Sequence, residues 1–214
     1  MAVLVTGFGP FGGEDANPSW EAARLLDSES IAGRTVVARW LPCAFGGAGT
    51  ALRAAMEEID PVLWLGLGQA GGRSVVSIER VAINVTDSRG PDEEGEQPVD
   101  VPVIAGGPAA YFATVPVKAI WARLTAEGIP AEVSQTAGTF VCNHAFYLAS
   151  HLAASRSPAP TVGFLHVPLS PAQAARRPGV PSMSVEMVAA ALRLAVETAL
   201  TTDRDLKLAA GASH

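Results

Sequence analysis

Runs of basic residues are missing from this 214-residue chain: Lys and Arg total 15 against 21 Asp and Glu, and the pair Arg176-Arg177 is the longest basic run. With a formal net charge of -6 there is no electrostatic footprint for nucleic acid, so a small uncharged or peptide ligand is the expected partner. Cysteine is scarce as well. Cys43 and Cys142 are too few for a disulfide framework, which favours a reducing compartment while leaving a single bridge between them open. The apolar start Val3-Leu4-Val5 stops at Thr6-Gly7 with no basic residue before it, so neither a signal peptide nor a membrane span is expected and a cytoplasmic location follows.

Aromatics make up only 6% of the chain, yet 49% of it is hydrophobic, a composition suited to a compact Ala- and Val-rich α/β protein. Short β-branched runs bounded by Gly and Pro alternate with helical stretches. That alternation predicts one domain over residues 1–214, a three-layer α/β/α sandwich around a mixed, mostly parallel twisted sheet. Strands are expected at 3–6, 35–41, 62–66, 75–85, 131–135 and 161–167, and helices at 17–26, 48–59, 117–127, 142–154 and 184–200. Asn17-Pro18 supplies a cap and a first-turn proline for the first helix, while Leu52, Met56 and Ile59 share one face of the second. The acidic, Pro- and Gly-containing stretch 87–103 reads as a long surface loop of the kind that often carries function, and the tail after about 201 is expected to fray, which discounts His214.

Two segments have the spacing of a dinucleotide fingerprint, Gly7-Phe8-Gly9-Pro10-Phe11-Gly12 and Gly66-Leu67-Gly68-Gln69-Ala70-Gly71. A phosphate site needs the last glycine to open a helix directly, but the first segment continues to Asn17 before a cap and the second runs into a strand at Val75. Tight turning is one explanation of these glycines. Another is a small apolar pocket walled by Phe8 and Phe11, where amides freed of side chains approach a flat neutral group.

Gly138-Thr139-Phe140-Val141-Cys142-Asn143 places a cysteine where a turn enters a helix, and the unpaired N–H groups and positive dipole end there favour a thiolate. Cys43, after Pro42 at a strand end, reads as a small buried hydrophobe. A nucleophilic cysteine needs an imidazole and an acid to orient it. His144 points to another face of the same helix as Cys142 and His151 to its surface, so both read as structural, whereas His166 ends an apolar strand where open sheets gather ligand sites. A core histidine is the competing reading of His166. Glu79 interrupts an apolar strand and is costly there unless paired; Arg80 beside it is a possible ion-pair partner, although neighbours on a strand point to opposite faces.

The chain resembles the pyroglutamyl-peptidase I family, also called pyrrolidone-carboxylate peptidases, cysteine peptidases of the Cys-His-Glu type. The resemblance spans nearly the whole chain and rests on five blocks in order: Thr6 to Phe11, Gly68 to Arg73, Glu79 to Asn84, Ala137 to Asn143, and His166-Val167-Pro168. It implies Cys142 as nucleophile, His166 as general base and then acid, and Glu79 as the residue that orients the imidazole. It also implies that Phe8, Phe11, Phe140 and Val141 line a lactam pocket, that groups around Gln69 hold the ring amide, and that Arg89 helps bind the oxyanion. No metal or organic cofactor is implied, and a homotetramer acting on peptides with N-terminal pyroglutamate is. Leu169-Ser170-Pro171 departs from the family's usual aromatic-containing segment. Other classes compatible with the residues are a hydrolase of another amide, a nucleotide-binding oxidoreductase and a non-catalytic small-ligand-binding protein.

Overall fold

The computed structural model describes residues 2–211. Along it run β1 (Val3–Phe8), α1 (Pro18–Leu25), β2 (Ser30–Ile31), β3 (Arg34–Leu41), α2 (Phe45–Ile59), β4 (Leu63–Gln69), β5 (Val76–Glu79), β6 (Val81–Ile83) and β7 (Ala110–Phe112). There follow α3 (Val117–Ala126), β8 (Ala131–Ser134), α4 (Val141–Ala154), β9 (Thr161–Val167), α5 (Pro171–Ala174) and α6 (Val185–Thr201). Seven strands form one sheet in the order β2-β3-β1-β4-β9-β5-β8, and β6 pairs with β7 in a separate ribbon. Pairing in the large sheet is parallel except where β2 meets β3 and β5 meets β9. This is the expected three-layer α/β/α architecture with a mixed sheet.

Each face of the sheet collects every second residue, because side chains alternate along a strand. Val3, Val5, Leu63, Leu65, Leu67, Val76, Ile78, Leu165 and Val167 pack on one side with residues of α1, α3 and α6. Leu4, Phe8, Trp64, Val162 and Phe164 pack on the other side with α2 and α4. Burial on both faces is why these strands read as continuous apolar runs rather than as alternating ones.

Two expectations are corrected by the tertiary structure. The stretch 75–85 is not one strand: β5 ends at Glu79 in the main sheet, and β6 leaves to pair with β7. Apolar patterning could not reveal this change of partner. The second helix begins at Phe45, earlier than expected, because its missing cap is supplied from the 87–103 segment. Ala44 has no side chain to cap it, and the Asp92 Oδ2 accepts a hydrogen bond from the Phe45 N–H at 2.8 Å. That segment is the surface loop expected, pinned where Thr86 bridges to Val101 and at Asp92, which is only 6% exposed.

The same device recurs beyond α6, which ends at Thr201. Asp205 Oδ1 accepts from the N–H of Lys118 at 3.0 Å and of Ala119 at 2.9 Å, capping α3, whose own cap position is Pro116. His214 lies outside the described residues. Short elements not expected above complete the chain: β2 and β7, and α5, which does carry a signal in Ser170-Pro171-Ala172-Gln173, a capping box with a first-turn proline. No helix among the described residues is long and apolar enough to cross a membrane.

Candidate active site

Glu79 and His166 meet because β5 runs antiparallel to β9. Ser77 lies opposite His166 in the register, so Glu79, two residues on, is a diagonal neighbour of His166 on the same face. His166 Nδ1 and Glu79 Oε1 are 2.7 Å apart, with Glu79 fully buried and His166 4% exposed. A carboxylate can only accept, so Nδ1 carries the proton and Nε2 is left as the basic nitrogen.

Cys142 reaches the same face from α4, where it is the second helical residue after Val141. Its approach is made possible by Gly68 in β4, which pairs with His166. A Cβ on Gly68 would lie 2.6 Å from Cys142 Sγ, 3.0 Å from Phe164 Cζ and 3.1 Å from His166 Cδ2. The missing side chain is thus the space that the thiol and the imidazole edge share. Gly66 serves the same face, since a Cβ there would collide at 2.6 Å with Phe164 and Trp64. Gly7 points to the opposite face and lets the α1 backbone at Ser19 come close, and Gly9 makes room for Trp40. These glycines serve close packing between layers, and neither Gly-rich segment opens a helix in the manner of a dinucleotide site.

The helix start that carries Cys142 is stitched down by the residue after it. Asn143, fully buried, accepts from the Ile83 N–H at 2.9 Å and donates to the carbonyls of Ile83 and Val85 at 2.9 and 3.0 Å. On the preceding side, Asp87 N–H donates to the Thr139 carbonyl at 3.0 Å and the Thr139 hydroxyl to the Asp87 carbonyl at 2.7 Å. The N–H groups of the first turn of α4 have no partner within the helix and point toward the space before it.

Burial pushes the Cys142 thiol above its ordinary value of 9.0, with Cys43 and Glu79 adding to the rise and Arg73 opposing it. The preference for thiolate expected from the helix start is therefore outweighed by desolvation. Cys43 is 6% exposed and pushed up to about 12 by burial, then by Glu93 and Asp92, as suits an inert buried thiol. Both cysteines are unbridged. His144 packs edge-on against Phe45 at 5.6 Å, and burial, with Arg53 nearby, lowers its pKa to about 4. His151 Nδ1 is hydrogen-bonded to the Tyr111 hydroxyl at 2.9 Å and its ring stacks on Tyr147, so it is not a bare surface residue.

The other candidates are distributed unevenly. Phe8 and Val141 are core residues, 2% and 0% exposed, and Phe8 packs on Phe164 at 6.5 Å rather than standing free. Phe11 and Phe140 are half-buried, Phe140 edge-on to Phe45 at 5.3 Å. Gln69 ends β4, its side-chain oxygen accepting from Gln173 Nε2 at 3.0 Å. Arg89 is exposed, two residues from the Asp87–Thr139 tie. The residue that pairs with Glu79 is Arg73 and not Arg80: Arg73 Nη1 donates to Glu79 Oε1 at 2.7 Å. Arg73 stood in the Gly71-Gly72-Arg73 sequence without any local sign of its partner. Among the described residues no group of three His, Cys, Asp or Glu is placed to hold a metal ion.

A thiol, an imidazole with its basic nitrogen free and a buried carboxylate on one face are the parts of an acyl-transfer site. Comparison with known proteins agrees. The family model described as pyroglutamyl peptidase matches residues 1–202. The pyrrolidone-carboxylate peptidases of Klebsiella pneumoniae (strain 342) and Chromobacterium violaceum are each 54% identical over 212 residues, covering 99% of this chain and 99% of theirs. Among solved structures, pyroglutamyl peptidase I from Bacillus amyloliquefaciens superposes with a TM-score of 0.93 at 42% identity, covering 97% of this chain and 100% of that one. A mutant pyrrolidone carboxyl peptidase from Pyrococcus furiosus gives 0.91 at 45% identity, covering 94% and 98%. With matching residues along almost its full length and the same fold, the chain belongs to the pyroglutamyl peptidase family.

Proposed function

We propose that the chain removes N-terminal pyroglutamate from peptides by a thioester route in which Cys142 is the nucleophile, His166 the acid–base group and Glu79 the group that orients it. The observation that carries this reading is the 2.7 Å contact between Glu79 Oε1 and His166 Nδ1, beside a Gly68 whose empty Cβ position adjoins both the thiol and the imidazole.

Because burial holds Cys142 as a thiol, its proton passes to His166 Nε2 as sulfur attacks the carbonyl carbon between the pyroglutamyl ring and the next residue. The imidazolium that forms is stabilised by the Glu79 carboxylate. The carbonyl π electrons move to oxygen, where first-turn N–H groups of α4 are donors, joined in the reading drawn from the family likeness by the Arg89 guanidinium. Collapse of this oxyanion breaks the C–N bond, and Nε2 returns the proton to the leaving amine. Water, deprotonated by the same nitrogen, then cleaves the thioester and releases pyroglutamate and the free thiol.

A pyroglutamyl terminus has no ammonium and presents a flat ring with one amide donor and one acceptor. The β1–β4 ladder ends at Thr6–Gly66, whereas β4 continues beside β9 to Gln69–Val167, so one edge of β4 near Gln69 has no strand against it. Backbone groups on that edge suit the ring amide, with Phe11 and Phe140 beside it and Phe8 and Val141 supporting them from the core. Pairing both ring groups discriminates against proline, which lacks the lactam carbonyl.

Purified protein under reducing conditions should release amine from a pyroglutamyl-anilide but not from prolyl or glutamyl analogues. Cys142→Ala should abolish the reaction and Cys43→Ala should not; activity persisting without Cys142 would sink the proposal. The same family likeness extends the proposal to a cytoplasmic homo-oligomer, supported by two unbridged thiols and by Phe112, 70% exposed on β7. Sedimentation of wild type and Phe112→Ser, with a smaller species for the variant, checks the second part.

A further inference from the structure

Glu79 sits in an unusual position for a carboxylate. It is fully buried, its Oε2 makes no hydrogen bond to any described residue, and its Oε1 alone serves two donors, His166 Nδ1 and Arg73 Nη1, each at 2.7 Å. Arg73 enters from the turn after β4, with its side chain 26% exposed, and is anchored independently: Nη2 donates to the Thr136 carbonyl at 3.1 Å and Nη1 lies 3.4 Å from Ser134 Oγ.

We propose that Arg73 is a positioning residue for the hydrolysis, one that keeps the buried Glu79 ionised and fixes its Oε1 against His166. The proposal rests on the triad reading above. A carboxylate closed to water favours its neutral form unless a cation compensates, and a protonated Glu79 no longer stabilises the imidazolium. The other groups around Glu79 cannot supply that charge. His166 on β9 is neutral while it acts as base, Cys142 on α4 is a thiol, and Ser134 on β8 is uncharged. Glu132 on β8, bonded to Ser77 at 2.7 Å, carries the wrong sign, and Arg80 projects across the strand from Glu79. Arg73 is the cation within hydrogen-bond reach.

Arg73 opposes the rise of the Cys142 thiol, and a positive charge at this point disfavours proton uptake by the site as a whole, so its loss moves the site's pH profile upward. In Arg73→Gln the acid limb of the kcat/KM profile for a pyroglutamyl-anilide should move up, lowering activity about tenfold or more at a fixed acidic pH. Arg73→Lys, which keeps the cation, should restore most of the shift. The pH profile of Cys142 alkylation by iodoacetamide should move up in Arg73→Gln as well. That measurement needs no substrate, so it tests Arg73 even if the pyroglutamyl activity itself were absent.

A purely structural Arg73, acting through Thr136 and Ser134, would lower activity or thermal stability equally at all pH values. Coincident hydrolysis and alkylation profiles in wild type and Arg73→Gln would overturn the proposal. If Arg73→Gln does not fold, the double variant with Glu79→Gln decides: recovery of folding supports a role in neutralising Glu79, and failure to recover assigns Arg73 to the Thr136 anchor and refutes it.

Discussion

Gly68→Ala isolates the geometry of the site with a single methyl group. No positive φ marks this position, so alanine meets no backbone penalty in the strand and only the space matters. The added Cβ would stand 2.6 Å from Cys142 Sγ, whereas ordinary contacts begin near 3.4 Å, and Phe164 at 3.0 Å and His166 at 3.1 Å block retreat on two other sides. The thiol, at the start of a helix held by Asn143, must give way by roughly 1 Å, a displacement that typically costs about 100-fold in rate. That is about 2.7 kcal/mol in the barrier, at roughly 1.4 kcal/mol per tenfold. Overpacking adds about 1–3 kcal/mol of destabilisation. Initial rates on a pyroglutamyl-anilide, with urea unfolding of the same samples, separate the two effects. Gly66→Ala is the comparison: its Cβ strikes Phe164 and Trp64 at 2.6 Å but not Cys142, so it should lose stability with a smaller loss of kcat/KM. Gly71→Ala, which meets only Leu169 at 3.7 Å, should be near wild type in both. Wild-type kcat/KM in folded Gly68→Ala would show that the thiol does not occupy the space assigned to it.

Asp92→Ala should cost about 1–2 kcal/mol at pH 7 by uncapping α2, measured by urea unfolding. Burial opposes ionisation of Asp92, but N–H donors from Phe45, Glu96, Glu94 and Gly95 outweigh it and hold the carboxyl below its ordinary 3.8. Its contribution is thus present above about pH 4 and lost as pH falls through the lower folded value, so the variant should show a flatter acid decline than wild type; an equally steep one would contradict the cap. His144, lowered to about 4 from 6.5, stabilises the fold fully above pH 6.5 and loses that contribution as pH falls towards 4, because the unfolded chain binds the proton first. Between pH 7 and 5 the loss is on the order of 2 kcal/mol, and His144→Gln should remove most of it; unchanged pH dependence would refute the assignment. Cys43, pushed up to about 12, should resist iodoacetamide at pH 8 until the protein unfolds, as mass mapping of Cys142→Ala would show; rapid labelling of the native protein would contradict its burial.

Local signals decided much of what was legible in the sequence. Asn17-Pro18 does start a helix, with Asn17 Oδ1 accepting from the Ser19 N–H at 3.0 Å, because cap and proline act within one turn. The apolar runs at Val3, Leu63 and Thr161 are strands, since each buries both faces at a period of two. Cys142, His166 and Glu79 stood out because a thiol at a helix entry, an imidazole at a strand end and a carboxylate in an apolar run each conflict with their surroundings unless they are used.

What the tertiary structure alone decided involves partners far apart in the chain. Glu79 pairs with Arg73 rather than the adjacent Arg80, because alternation turns Arg80 away and the turn after β4 brings Arg73 back. The break of the 75–85 stretch depends on which strands lie beside β5 and β6, a question of pairing that periodicity does not carry. The cap of α2 comes from Asp92, 47 residues on, and that of α3 from Asp205, 87 residues beyond Lys118. Gly66 and Gly68 resemble a phosphate loop in sequence, yet their role is set by Phe164, Cys142 and His166, which only folding brings against them. Residue types and short-range periodicity thus specified the elements and the chemistry of the chain, while the shared space at Gly68 and the charge balance at Glu79 arose from contacts between distant segments, whose positions are fixed only by packing.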